Sequence, residues 1–229
     1  MVGGWRYPFD CRMVPGSGLS NRFRGGNREN FAGVLISKGM LIKARRLAAI
    51  CSWIGHPLVF ITISVSIVLL TQHISRAGLL AALFVAAIAP MAILLFLGVR
   101  SGRWRDADVS LREERKRFYP FAVPLSALGT IAVWIAGAPG YILRGGIITW
   151  LLLVVAGLIN FWFKISLHTL FAAYCTVILY RVNVLCGTSA LTLAVLVFWS
   201  RLFLSRHSFA ETLSGAMLGI AGGLVTAWM

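Results

Sequence analysis

Apolar positions in this chain come in long unbroken runs, and polar positions come in a few dense clusters between them. Runs of helical length fall at about 51–72, 78–99, 120–138, 145–163, 168–185, 189–199 and 209–229. A run of about 20 apolar residues matches the hydrocarbon width of a bilayer, and continuous rather than alternating apolarity selects helices over a barrel. The pattern predicts an all-α integral membrane protein, a polytopic bundle of six to seven transmembrane helices. Pro139-Gly140 and Cys186-Gly187-Thr188 mark two of the expected joints. Gly215, Gly219 and Gly223 recur at the four-residue spacing that lets helices approach closely. Residues 1–40 are rich in Gly, Arg, Asn and Ser and lack a sustained apolar period, so they read as a flexible basic N-terminal tail before a bundle over 41–229.

Composition narrows the class further. A 229-residue chain that is 59% hydrophobic and 13% charged carries more apolar surface than a soluble domain of this size can hide. The net charge of +15 is compatible with nucleic acid, but the basic residues flank the apolar runs. Attraction to anionic lipid headgroups accounts for them, and no nucleic-acid partner is expected. Cys11, Cys51, Cys175 and Cys186 have no metal or redox spacing, and no P-loop or dinucleotide fingerprint occurs. Neither a metal nor another cofactor is expected.

With seven spans, parity gathers the loop before Pro120, the Lys164–His168 junction and the Ser200–His207 junction on one membrane side with the tail. Of the 22 Lys and Arg residues, 19 fall on that side, leaving Arg76, Arg144 and Arg181. The positive-inside rule then predicts a multi-pass cell-membrane protein with these clusters on the cytoplasmic face.

Three polar clusters carry the candidate chemistry: Arg112 to Pro120, Asn160 to His168, and Ser200 to Glu211. Ionisable groups between apolar runs are costly, so they point to function. Fixed cations suit the spread charge of a transferring phosphoryl group, and two histidines suit its remaining needs. One histidine attacks phosphorus and the other protonates the leaving oxygen. His207 and Glu211, four apart, share a face if the segment from Ser205 is helical, so the carboxylate orients the imidazole.

These residues resemble the type 2 phosphatidic acid phosphatase superfamily, which includes the vanadium-dependent haloperoxidases. Its third motif is Ser-Arg, five residues, His, three residues, Asp; Ser200-Arg201, His207 and Glu211 are similar to it, with Glu for Asp. Ile165-Ser166-Leu167-His168 looks like the second motif, Pro-Ser-Gly-His, with Leu for Gly. Arg112 followed by Tyr119-Pro120 looks like the first, with Tyr for an arginine. The Asn-x-x-x-Lys-Ile-Ser-x-His form and His56-Pro57 resemble a bacterial branch with an extra helical hairpin between the first two motifs.

The resemblance implies a metal-independent hydrolase acting on a lipid phosphate or diphosphate, of the polyprenyl, isoprenyl or phosphatidate type. His207 would form a phosphohistidine, Glu211 would orient it, and His168 would protonate the leaving group. Arg201 and Arg112 would hold phosphate, with Ser166 as a hydroxyl donor. Apart from the resemblance, the position of Lys164 one helical turn before His168 suits it to supply the charge missing at Tyr119. The rival expectation is a non-catalytic lipid-phosphate-binding or transport protein on the same bundle. Other polar residues have blander expectations: His56 structural, Arg115-Lys116-Arg117 a solvated basic run, Arg206 a headgroup contact, and His73 on the opposite side.

Overall fold

A computed structural model describes residues 27–72 and 76–228, and all of its regular structure is helical. The chain divides into two units, Met1–Ile42 and Lys43–Met229. The expected tail lies mostly outside the described residues, as does His73; from Asn27 onward the chain is already helical. The elements are α1 (Asn27–Ile54), α2 (Pro57–Thr71), α3 (Ala77–Arg100), α4 (Arg112–Ile135), α5 (Gly140–Ile159), α6 (Leu167–Val182), α7 (Val184–Phe203) and α8 (Phe209–Trp228).

Five of them, α3, α4, α5, α7 and α8, are long and apolar enough to cross a membrane. The pair Met40–Ile54 and Pro57–Thr71, bent by 54°, makes a sixth if counted as one span. By length and composition the described residues therefore hold five to six candidate spans, against the expected six to seven. The difference is α6, an apolar helix of only 16 residues.

Local chemistry explains where boundaries differ from the apolar pattern. The first run breaks at Gly55-His56, because Pro57 favours the first turn of a new helix and the His56 ring accepts the Leu58 N–H at 3.3 Å. Helix α4, the third expected span, starts at Arg112 rather than Pro120. Glu113 and Glu114 sit in its first turn, where the helix dipole favours acids, and Pro120 and Pro124 are carried inside it. The α6–α7 joint is at Asn183, not at Cys186-Gly187-Thr188. Asn183 Oδ1 accepts the N–H groups of Leu185 (2.8 Å) and Cys186 (3.4 Å), so one residue both ends α6 and caps α7.

The glycine face of α8 lies against α6. A Cβ at Gly215 would stand 2.5 Å from the Ser166 carbonyl oxygen, and one at Gly219 would stand 2.0 Å from that of Leu170. Ten of the 16 residues of α6 are buried, which makes it the central helix. Around the bundle α2, α3, α4, α5, α8 and α6 pack successively into a ring, and α7 lies outside it against α6 and α8. The helices of the ring line a partly open cavity of about 530 Å³.

Candidate active site

The polar ends of the helices meet at one end of this ring. Three local structures build the meeting point.

The first is the turn from α7 into α8. After Phe203 the chain folds back, with the Arg206 N–H bonded to the Arg201 carbonyl at 3.1 Å and Ser205 in the left-handed region at φ 53°. Ser208 and Glu211 then form a reciprocal cap. Ser208 Oγ accepts the Glu211 N–H at 3.2 Å, and Glu211 Oε2 accepts the Ser208 N–H at 3.1 Å. The same Oε2 lies 3.0 Å from His207 Nδ1. Helix α8 begins only at Phe209, so this pairing comes from the cap rather than from a shared helical face. An Nδ1–H donated to the carboxylate leaves Nε2 bare, and Nε2 is buried without a partner. Burial first, then the charges of Arg115, Lys164 and Arg201, hold the His207 pKa well below the ordinary value, so the ring is neutral.

The second is the loop from Ser101 to Leu111, the part of the expected polar loop before Pro120 that lies outside α4. Trp104 anchors it by lying so close over Gly98 that a Cβ there would stand 2.1 Å from the indole. Asp106 accepts from the Ser110 N–H at 3.1 Å and from its hydroxyl, and also pairs with Arg206. This turn projects Asp108 toward α6 and α7. Asp108 Oδ2 lies 2.6 Å from Arg201 Nη1, and Oδ1 lies 3.4 Å from His168 Nε2. Burial works to raise the Asp108 pKa, but contact with His168 and Arg201 outweighs it and keeps the group ionised.

The third is the junction from α5 into α6. Ser166 caps α6 by accepting the Thr169 N–H at 3.5 Å, and its own N–H donates to the Glu211 carbonyl at 3.0 Å. Lys164 Nζ donates to the Arg206 carbonyl at 3.0 Å and stands 4.0 Å from Glu211 Oε2. Burial, then Arg115, push the Lys164 pKa down from its usual value.

Two guanidinium groups complete the pocket. Arg201, fully buried at 0% exposure, spends Nη1 on Ser52 Oγ (2.7 Å) and Asp108, which leaves Nε and Nη2 buried and unpartnered. Arg115, 1% exposed, donates Nε to the Val109 carbonyl at 2.9 Å and Nη1 to the Ile165 carbonyl, and its Nη2 is unpartnered. An arginine with free buried donors has lost water without gaining a partner, an expensive state that an anion relieves.

The structure thus brings together His207, Glu211, His168, Arg201 and Lys164, with Ser166 buried at the adjoining helix end. Arg112 is not with them. Its Nε donates to the Asn160 carbonyl at 2.8 Å, and Asn160 Nδ2 returns a 3.3 Å bond to the Arg112 carbonyl. The cation beside His207 is Arg115, one turn further on. Arg115 is therefore no solvated residue: the early start of α4 turns it onto the face of buried Phe118, Tyr119 and Ala122. That face was readable from the i, i+3, i+4 and i+7 spacing. Asp108 and Ser52 had no such signal, because their partners lie 93 and 149 positions away. Arg206 clamps the loop through Asp106 and Ser110.

His56, Asp108 and His168 offer ligand atoms within 4.8 Å of one another, the spacing of a possible cation site. The donor chemistry argues against it. His56 Nδ1 accepts a backbone N–H, so its proton is on Nε2, which leaves the ring no lone pair facing a metal. Arg201 also neutralises Asp108 directly. No protein-family model, curated protein or solved structure matches this chain.

Proposed function

We propose that this chain is a multi-pass membrane phosphatase that hydrolyses a lipid phosphate or diphosphate through a phosphohistidine. The observation that carries the reading is a set of buried, unpartnered atoms at one end of the bundle: Arg201 Nε and Nη2, Arg115 Nη2, and His207 Nε2. The Nε/Nη2 edge of Arg201 is a fork suited to two phosphate oxygens. Arg115 adds a further donor, and Lys164 adds charge without a metal.

In the first step His207 Nε2 attacks phosphorus, an N–P bond forms, and the P–O bond to the lipid breaks. His168 gives its proton to the leaving lipid oxygen. Glu211 holds the proton on Nδ1 and stabilises the imidazolium that develops. Water, deprotonated by His168, then attacks phosphorus, releases inorganic phosphate and restores both histidines. The motif resemblance of Ser200-Arg201, His207 and Glu211 supports a lipid of the prenyl or phosphatidate type as substrate. Counting α6 as a crossing helix within the bundle gives the seventh span, and the distribution of Lys and Arg supports a cell-membrane protein with its site at the cytoplasmic face.

A second reading, a lipid-phosphate binding or transport protein, is favoured by the cavity running from His168 to Arg181. Phosphate release from lipid phosphates by purified protein, with chelator present, separates the two. The enzyme reading expects turnover, inhibition by vanadate, and losses of about 10²-fold or more in His168→Ala. In His207→Ala it expects none above background. Tight lipid binding with no phosphate released from any lipid phosphate would leave only the binding protein.

A further inference from the structure

The partly open cavity between the ring helices has two ends, and they differ in charge. His168 and Arg181, both in its lining, are 13 positions apart on α6, which is about 20 Å along the helix. At one end the ionisable lining residues are His56, Asp108, Arg115 and His168. There a carboxylate and a guanidinium offset each other, and Asp108 also pairs with Arg201. At the other end stand Arg144, from the second turn of α5, and Arg181, from the last turn of α6. Between the ends the lining is mainly aliphatic and aromatic, with Val65, Ile88, Leu95 and Phe171 among it.

The Arg144 end carries two positive charges and no side-chain carboxylate to meet them. Among the described residues from Lys43 on, the acidic side chains are Asp106, Asp108, Glu113, Glu114 and Glu211. They lie in the loop before α4 and in the first turns of α4 and α8, all at the His168 end. Helix α5 brings neither an acid in its first turn nor a side-chain cap. Arg144 Nε is buried without a partner. A cation that has lost water without gaining a partner is costly in an apolar bundle, and an anion relieves that cost. The anion must also suit what adjoins the arginines, a cavity of about 530 Å³ with an apolar wall. A lipid meets both demands, with its headgroup on the guanidinium groups and its chains against the wall. A zwitterionic headgroup would bring an ammonium group to an end with no carboxylate to receive it; an anionic one brings none.

From this asymmetry we infer that the Arg144–Arg181 end of the cavity binds an anionic membrane phospholipid, with its phosphodiester on the two arginines and its acyl chains along the apolar lining. The site is separate from the candidate active site, because none of Arg201, His207, Lys164 and Glu211 lines the cavity. It therefore stands whether or not the protein is a phosphatase. Arg76 supplies a control for charge alone. It is the N-cap of α3, at the same end of the bundle, but it does not line the cavity.

Native mass spectrometry of the full-length protein in neutral detergent tests this. The probes are dioleoyl phosphatidylglycerol, which is anionic, and dioleoyl phosphatidylcholine, which is zwitterionic. The first phosphatidylglycerol is expected to bind about tenfold or more tighter than the first phosphatidylcholine. Arg144→Gln combined with Arg181→Gln is expected to abolish that preference. Arg76→Gln and Lys164→Ala, one off the cavity and one at the candidate active site, are each expected to leave phosphatidylglycerol affinity within about twofold. Inorganic phosphate and glycerophosphoglycerol, the headgroup without its chains, are expected not to displace the bound lipid at equal concentration. Equal binding of the two lipids by the wild-type protein would overturn the inference without any variant having to fold. A preference that survives in the folded double variant would also overturn it. So would an equal loss in Arg76→Gln, a loss in Lys164→Ala, or displacement by the chain-free anions.

Discussion

Glu211 performs two tasks with one oxygen. Its Oε2 closes the cap of α8 on the Ser208 N–H and accepts from His207 Nδ1. Glu211→Gln keeps an acceptor for one of these bonds but removes the charge that stabilises an imidazolium. Turnover is expected to fall by about 10²-fold while the melting temperature shifts by only a few degrees. Glu211→Ala also removes half of the cap and costs about 1 kcal/mol of stability. Calorimetry beside phosphate-release assays separates the two effects. His207 gives a pH prediction. Its folded pKa lies below its unfolded value near 6.5, so the unfolded chain binds the proton first and stability falls as pH drops below about 6.5. The ionised Asp108 has the same sign but acts only below about pH 4. Stability against denaturant is expected to be flat from pH 8 to 6.5. It then declines by up to about 1.4 kcal/mol per pH unit for this one histidine, and His207→Gln removes that share of the slope. A slope unchanged in His207→Gln contradicts the buried neutral ring. At this scale much of the site was legible in the sequence, because Ser200-Arg201, His207 and Glu211 are set by one local turn and cap. Asp108 and Ser52 were not, since only the packing of distant helices brings them to Arg201.

The elements decide which arginine faces the pocket. Helix α4 presents Arg112 to the end of α5 and Arg115 to the interior, one turn apart. Arg112→Ala is expected to cost about 1 kcal/mol of stability and leave vanadate affinity within about twofold. Arg115→Lys keeps the charge but loses the planar fork, so vanadate binding is expected to weaken by about tenfold or more. Vanadate titration of both variants decides between them; equal weakening would mean the cations are interchangeable. The α6–α8 contact makes another testable demand, since a Cβ at Gly219 would meet the Leu170 carbonyl. Gly219→Ala is expected to lose about 1–3 kcal/mol, read as a lower melting temperature of the detergent-solubilised protein. That glycine face was legible from its four-residue spacing. The start of α4 was not, because its first turn is held by dipole and ion-pair chemistry in a stretch without apolar residues. The α6–α7 joint was missed for a similar reason: Asn183 caps inside an apolar run that hides it, and Gly187 serves to pack against Tyr180.

Across the whole molecule, chemistry and shape are separated along one axis. Among the described residues from Lys43 on, carboxylates, histidines and most of the buried donors gather at one end of the ring, while the cavity extends to Arg144 and Arg181. The apolar runs made an all-helical membrane bundle legible, but not the ring or its cavity, which depend on which helices become neighbours. The same packing turns separate sequence clusters into one pocket: α4, α6, α7 and α8 each deliver one end to it, and the loop through Asp108 ties Arg201 to His168. If this pocket performs phosphoryl transfer, the phosphate must pass through His207 Nε2. Trapping that state is the most direct measurement: incubate the purified protein with a lipid carrying labelled phosphate, quench in alkali, and map the label. The account predicts an alkali-stable, acid-labile phosphohistidine at His207 that is absent in His207→Ala. Full phosphate release without label at His207, or turnover that persists in His207→Ala, would contradict it.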